Sequence, residues 1–414
     1  MRSCSGLVLL IACQRPALPC ACESGHGFAL SDEAPCQCVP PAAPLPEATP
    51  ETTFSVGPGE ALDWAAIDAA LAGGDVLVSL SGVRDERLDV LRTDDGPHRL
   101  VIDGGAERAV VPGVSTTYAD VPRHRVTVRR LEVTGSRDKG VYWRAGDDVV
   151  LEDLVVHDNR GSPAVMLDYA NRTGHASASF TLRSSHIYDQ RSECVYIGGS
   201  EGEDQDAHAR VVVENNLIHD CRRALSSKDD GINIKDRIGE AIVRQNVIFH
   251  TGWGLELGSP GTYAENVIFS TRDNGVHFND QWGEGFAGVT VEDLVVVSPG
   301  AAGVRISGDT RPSEGIVLRR ALISGAPDAG IVVAAEHRVE ATLSDVTVAD
   351  SAVGFRGWGE PAVAVDGCVV SGNSARADDV MSGATEGCES GEVPDLSVLS
   401  GPDGVFFTAD DPRR

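Results

Sequence analysis

From about Arg125 onward one short pattern of apolar and polar positions recurs along the chain. An apolar alternation is followed by two or three polar residues and then by another apolar pair. VTVRRLEV (126–133), VVLEDLVV (149–156), FTLRSSHI (180–187), VVVENNLI (211–218), AIVRQNVI (241–248) and VTVEDLVV (289–296) are copies. Aligning Leu131, Leu154, Ser185, Asn216, Asn246, Asn266, Leu294, Ala321, Val346 and Cys368 leaves spacings of 20 to 31 residues, the mark of a solenoid. Between the copies lies a second motif, a small residue leading a strand: GVYW (140–143), AVML (164–167), CVYI (194–197), GINI (231–234), GLEL (254–257), GVHF (275–278), GVRI (303–306) and GIVV (330–333). Strict period two buries one face of each strand. No segment is helical for long enough to make βαβ crossovers, the LxxLxLxxN frame of leucine-rich repeats is missing, and so are the WD dipeptides of a propeller. An all-β parallel β-helix is the remaining architecture.

Residues Glu60 to Ala72 (EALDWAAIDAALA) are the exception, an amphipathic helical stretch placed to cap the open edge of the first coil. The recurring asparagines Asn216, Asn246 and Asn266 read as an internal ladder that hydrogen-bonds buried backbone. Thr53 to about Ala375, with its opening TTFSVGPGEALDWAAIDAAL, resembles the right-handed, single-stranded parallel β-helices of the pectin-lyase-like superfamily. That resemblance implies about ten or more coils, an N-terminal capping helix and a polysaccharide partner.

Charge and cysteine content narrow the setting. Asp and Glu number 62 against 35 Lys and Arg, a formal net charge of −27, which excludes nucleic acid as a partner and an anionic membrane surface as the main one. Gly6 to Ala12 is a short apolar run, and Leu10-Ile11-Ala12-Cys13 resembles a bacterial lipobox. Residues 1–12 are then a signal peptide and Cys13 the lipidation site. Residues 13–52 form a Cys- and Pro-rich leader and linker, 53–375 the β-helix and 376–414 a C-terminal tail or cap. The expectation is an exported monomer, an outer membrane lipoprotein or extracellular, touching membrane only through its lipid. Outside the cytosol cysteines pair, and Cys194 with Cys221, and Cys368 with Cys388, are the pairs expected in the coils.

Stacking the second motif builds two rows of side chains pointing away from the core. One reads Tyr142, Met166, Tyr196, Asn233, Glu256, His277, Arg305 and Val332. The other, two residues on, includes Asp168, Lys235, Asn279 and Ser307. Such faces are ordinarily solvated, yet this one gathers the densest polar patch on the chain. The segment SSKDDGINIKDRIGEAIVRQNVI (226–248) resembles the lysine-bearing coil of calcium-dependent polysaccharide lyases. The resemblance implies Lys235 as the base, with Glu256 and His277 beside it in the catalytic set. Asp229, Asp230, Asn233 and Glu256 would be ligands of a Ca²⁺ ion, whose hard charge suits oxygen donors. Tyr196, Trp253, Asn279, Trp282 and Arg305 would bind substrate. Where the alginate and chondroitin lyases carry an arginine on the next coil, this chain has Glu256. Two other readings stand beside the lyase. A polygalacturonase-like hydrolase would use Asp229, Asp230 and Glu256 as paired carboxylates, although the NTD, GHG and RIK signatures are missing. A non-catalytic glycan- or surface-binding module would use Trp143, Tyr196, Trp253 and Trp282 as stacking surfaces. The other histidines, including His157, His186, His219 and His250, show no partner in sequence.

Overall fold

The computed structural model describes residues 27–29, 37–39, 50–90, 96–116, 124–144, 146–168, 179–198, 208–221, 229–235, 237–279, 287–308 and 312–391. Cys13 and Trp282 lie outside the described residues. The chain is a parallel β-solenoid of about 11 turns, nearly all sheet, with one helix. It falls into two compact units, one made of Ala42–Val243 with Ile248–Gly261, the other including Arg244–Val247 and the chain from Thr262 on.

In the first unit each full coil carries three strands, and each strand pairs in parallel with its counterpart one coil away. One sheet runs Thr52–Val56, Val76–Leu80, Leu100–Asp103, Val126–Arg129, Val149–Glu152, Ser179–Arg183 and Arg210–Glu214. A second runs Ala109–Val111, Leu131–Thr134, Val155–His157, His186–Gln190 and Leu217–Cys221. The third holds the second motif: Leu88–Asp89, Val114–Ser115, Val141–Trp143, Val165–Leu167, Val195–Ile197, Ile232–Ile234 and Leu255–Leu257. Alternate residues of these strands, such as Val195 and Ile197 or Ile232 and Ile234, are wholly buried and stack to form the core. Trp143 shares the phase of Val141 and belongs to that core, so it offers no surface to a sugar. The helix α1 (Trp64–Leu71) starts where the Asp63 side chain accepts the Ala66 N–H, and it buries Ile67 and Leu71. In the second unit the same pairing joins Val276–Phe278, Val304–Ser307, Ala329–Ala349, Val353–Asp366 and Ala375–Ala377.

The bend between the first and second strands is made by one residue in the left-handed region. Asp153, Ser184 and Asn215 have φ of 50°, 52° and 57° in the first unit, and Asp293, Arg320 and Asp345 have 50°, 50° and 53° in the second. Asp and Asn tolerate this conformation better than most residues, which is why polar residues interrupt the apolar pattern there. The next position turns inward and must satisfy buried backbone. Asn216 Oδ1 accepts the Ser185 N–H at 3.0 Å while its Nδ2 donates to the Leu182 carbonyl at 3.2 Å, and Ser185 Oγ accepts the Leu154 N–H at 3.1 Å. In the second unit Asn266 Oδ1 accepts both the backbone N–H and the side-chain amide of Asn246. The small residue that opens the second motif is dictated by space. A Cβ on Gly231 would lie 2.3 Å from Ile248 Cγ2 and 2.7 Å from the Gly254 carbonyl oxygen.

Disulfides join Cys194 to Cys221 and Cys368 to Cys388. The first unit also assembles histidines that show no pattern in sequence. On the outer side of the second sheet, the His157, Tyr188, His219 and Phe249 rings stack in sequence at centroid distances of 4.9, 5.3 and 4.5 Å. His186 Nε2 lies 2.8 Å from His219 Nε2, so one of the two must carry the proton and the other accept it. Asp220 sits at 2.8 Å from His219 Nδ1 and 3.3 Å from His250 Nδ1, and Glu132 and Asp158 flank His157. Burial, then the neighbouring His219 and His157, bring the His186 imidazole down to about 4.

Replacing Asn216 by Ala leaves the Ser185 N–H and the Leu182 carbonyl unsatisfied, and is expected to lower the urea-unfolding free energy by about 2 kcal/mol. Because the folded state holds His186 neutral while an unfolded imidazole protonates near 6.5, stability is present above that pH and lost as pH falls through about 4. The loss is on the order of 3 kcal/mol. His186→Phe should flatten this acid limb in urea titrations at a series of pH values, and an unchanged limb would refute the assignment.

Candidate functional site

The outward row of the third sheet lies in the expected register. Tyr142 pairs with Met166, Met166 with Tyr196, Tyr196 with Asn233 and Asn233 with Glu256. Its environment differs from the solvated face the alternation suggests: Asn233 is 1% exposed, Glu256 3% and Lys235 6%, and Asp229 and Asp230 are fully buried. Charged groups so placed need partners. Asn233 supplies the centre. Its Nδ2 donates to Asp230 Oδ2 and to Glu256 Oε2 at 2.8 Å each, and reaches Glu193 Oε1 at 3.4 Å. Lys235 Nζ pairs with Glu256 Oε1 at 3.3 Å and lies 5.3 Å from the centre of the Tyr196 ring.

Glu193 is the member the sequence reading missed, although a signal was present. Val195 pairs with Ile232 and Ile232 with Leu255, so the position three residues before each outward member of the row brings Glu193, Asp230 and Trp253 into line. Extending the alignment of CVYI, GINI and GLEL backwards by one residue finds it. The Cys194–Cys221 bridge fixes the residue next to Glu193, and the Cys194 N–H donates to the Asp230 carbonyl at 2.9 Å. Ser162 Oγ approaches the far carboxyl oxygen of Glu193 at 3.4 Å. Glu193 is only partly buried, which makes it the cluster's carboxyl nearest to solvent.

Three carboxyls and one ammonium in a buried site carry surplus negative charge, and proton uptake relieves it. Burial pushes the Glu193 carboxyl up to about 7, with Lys235 opposing and Glu256 reinforcing. Burial, the charge and hydrogen bond of Glu256, and Glu193 hold the Asp230 carboxyl well above the usual carboxylate range. Asp230 therefore holds its proton at pH values where an isolated carboxyl would have lost it. Asp230 Oδ1 and Asn233 Oδ1 are buried and accept no hydrogen bond among the described residues.

The set Asp229, Asp230, Asn233 and Glu256 does not fit a Ca²⁺ ion as placed. An amide nitrogen, not an oxygen, stands between Asp230 and Glu256. Among the described residues no three acidic, His or Cys side chains are arranged to hold a metal. The role of Lys235 as a base meets a similar difficulty, because its ammonium is engaged with Glu256.

The remaining candidates divide. Trp253 is partly buried in the turn before Leu255–Leu257, and its carbonyl accepts the Gly231 N–H at 2.9 Å. His277, Asn279 and Arg305 belong to the second unit. There His277 pairs in register with Arg305 and its Nε2 lies 3.3 Å from Ser307 Oγ, while Asn279 is partly buried just after Phe278.

Stability should carry the signature of this cluster. A carboxyl whose folded value lies above its unfolded one takes up protons on folding, so stability is fully present at low pH and falls as pH rises through about 7. Glu193→Gln should flatten the decline between about pH 5 and pH 8 in urea titrations. An identical decline in that variant would show that Glu193 is not the group responsible.

Residues 113–312 match a family model described as the right handed beta helix region. No curated protein matches the sequence. Among solved structures, the chain is similar to an alginate lyase from Paenibacillus at 15% identity and a TM-score of 0.35, covering 78% of this chain and 95% of that one. It is also similar to the catalytic unit of an α-1,3-glucanase from Streptomyces thermodiastaticus at 13% identity and a TM-score of 0.41, covering 80% and 70%. The handedness of the matched family and the parallel, in-register coils together give the fold: a right-handed parallel β-helix.

Proposed function

We propose that this protein is an exported enzyme that cleaves a glycosidic bond in a polysaccharide by acid–base chemistry, with Glu193 as proton donor. The observation that carries the reading is the carboxyl of Glu193, kept protonated near neutral pH beside two further carboxyls and open to solvent on one side. Pairs of carboxyls whose environments push their proton affinities apart suit glycoside cleavage. In the proposed step the Glu193 proton passes to the glycosidic oxygen as the bond to the anomeric carbon breaks. Water supplies the hydroxyl to that carbon, and its proton is taken by the Asp230–Glu256 pair. Lys235 keeps Glu256 anionic for that purpose, and Asn233 holds all three carboxyls in place. A solenoid that repeats one outward row about every 4.8 Å offers an extended polymer a matching series of contacts. The two disulfides fit an oxidising, extracytoplasmic setting, and the lipid anchor at Cys13 is part of the same proposal.

β-Elimination with Lys235 as base is the second reading, supported by the position of Lys235 in the row and opposed by its pairing with Glu256. Product analysis separates the two. Uronate polymers and neutral glucans are incubated with the protein, with Ca²⁺ and with chelator, and both new reducing ends and unsaturated ends are followed. The expected result is reducing ends without unsaturation, unaffected by chelator. Activity should decline as pH rises through about 7, because Glu193 then loses the proton it must donate. Glu193→Gln should lower kcat by at least about 100-fold. Unsaturated products, or a Glu193→Gln variant within about twofold of wild type, would overturn the assignment.

A further inference from the structure

The outer side of the second sheet carries a set of histidines that the chemistry proposed at Glu193 does not use. His186 pairs in register with Leu217, and Tyr188 with His219, so the two histidines stand diagonally across adjacent coils on one outward face. Their Nε2 atoms meet at 2.8 Å. The Tyr188 ring packs against both, with centroids 4.3 Å from His186 and 5.3 Å from His219, and Phe249 stacks on His219 at 4.5 Å. Rings flanked in this way have few orientations left to them, so the approach of the two nitrogens is built into the packing.

Asp220 fixes which nitrogen of His219 keeps its lone pair. His219 Nδ1 donates to Asp220 Oδ2 at 2.8 Å, which leaves Nε2 as the acceptor facing His186. A carboxylate behind the far nitrogen orients a metal-binding imidazole and raises its basicity. Asp220 is itself held from the other side by His250 Nδ1 at 3.3 Å. The surroundings favour a cation. Glu132 and Asp158 flank His157, whose ring stacks on Tyr188, while Arg108, within electrostatic reach of His186, is paired with Asp153. Neither His186 nor His219 is fully buried, so an ion can reach them.

The separation of the nitrogens selects the ion. Two imidazole nitrogens, each about 2.0 Å from one ion, lie about 3.3 Å apart in a tetrahedron but about 2.8 Å apart at neighbouring corners of a square. The observed 2.8 Å is the second value. Square-planar or tetragonal coordination by nitrogen marks Cu²⁺ and Ni²⁺, and Cu²⁺ binds the more tightly of the two. We propose that His186 and His219 form a Cu²⁺ site joining two coils, with both Nε2 atoms as ligands and Asp220 orienting His219. Among the described residues no third His, Cys or carboxylate is arranged to complete the set, so solvent fills the remaining positions and the ion is exchangeable. On binding, His186 Nε2 gives up its proton to solvent and Nδ1 takes one up, so the imidazole stays neutral while both rings turn their lone pairs to the ion.

Titration of the metal-free full chain with CuCl₂, followed by calorimetry and electron paramagnetic resonance, tests the site. A single equivalent should give a tetragonal spectrum split by two imidazole nitrogens and should raise the urea midpoint. His186→Gln and His219→Gln should each weaken that equivalent at least about tenfold and abolish the two-nitrogen splitting. Asp220→Asn should weaken it about tenfold and keep the splitting, since Asp220 acts through His219. His337→Gln, an exposed histidine of the second unit, should change nothing. Urea curves without metal establish that each variant is folded, and competition on the wild-type chain needs no variant: Zn²⁺ should displace Cu²⁺ only in large excess. A wild-type chain that binds no Cu²⁺, an equivalent undiminished in both histidine variants, a spectrum with fewer than two nitrogens, or Zn²⁺ bound as tightly as Cu²⁺ would overturn the proposal. None of these outcomes bears on Glu193, so the two proposals stand or fall separately.

Discussion

The hydrogen-bonded contact between one coil and the next is the constraint on which the rest of this structure depends. Among the described coils the strands satisfy their backbone groups chiefly against their counterparts one coil away. Two consequences follow from keeping that ladder unbroken. The chain must bend sharply without a loop, which places residues such as Asp153, Ser184 and Asn215 in the left-handed region. Residues that fall at a tight approach, such as Gly231, must surrender their side chains. The polar interruptions and glycines of the sequence are thus requirements of the spiral.

Stacking also decides what a buried polar side chain can be. Asn216 and Ser185 each meet a backbone group from an adjacent coil, so their hydrogen-bonding capacity is spent and they act as structure. Asn233 occupies a different row, between Tyr196 and Glu256, and its amide is drawn among the carboxyls of Glu256, Asp230 and Glu193 instead of to backbone. The same residue type is inert in one row and the centre of a charged cluster in another. Surplus negative charge at Asp230, Glu256 and Glu193 is relieved by protons, and that retained proton is what gives the cluster chemical potential.

The two sides of the first unit respond to pH in opposite senses. The histidine row on the second sheet favours neutral imidazole and resists acid poorly. The carboxyl cluster on the third favours protonated carboxyl and is strained by alkali. Between these limits the unit holds its most stable form, and the disulfide at Cys194 and Cys221 ties the third sheet to the second where they converge.

Much of this was determined by the sequence itself. Period-two alternation interrupted at regular spacing requires strands of fixed phase, and once the phase is known the pairing of Tyr196 with Asn233 and of Asn233 with Glu256 follows, because a slip of one residue would turn the core outward. The helix over Trp64–Leu71 was legible for the same reason, from its own period and its capping aspartate. Glu193 could have been found by carrying the alignment one residue further. What only the tertiary structure decided is the environment of those positions. Whether an outward row is wet or buried depends on what the flanking turns bring over it, so Asn233 and Glu256 became a closed cluster where alternation suggested a solvated face. The stacked histidines and the meeting of His186 with His219 likewise depend on side-chain directions across coils, a quantity that periodicity along the chain does not contain.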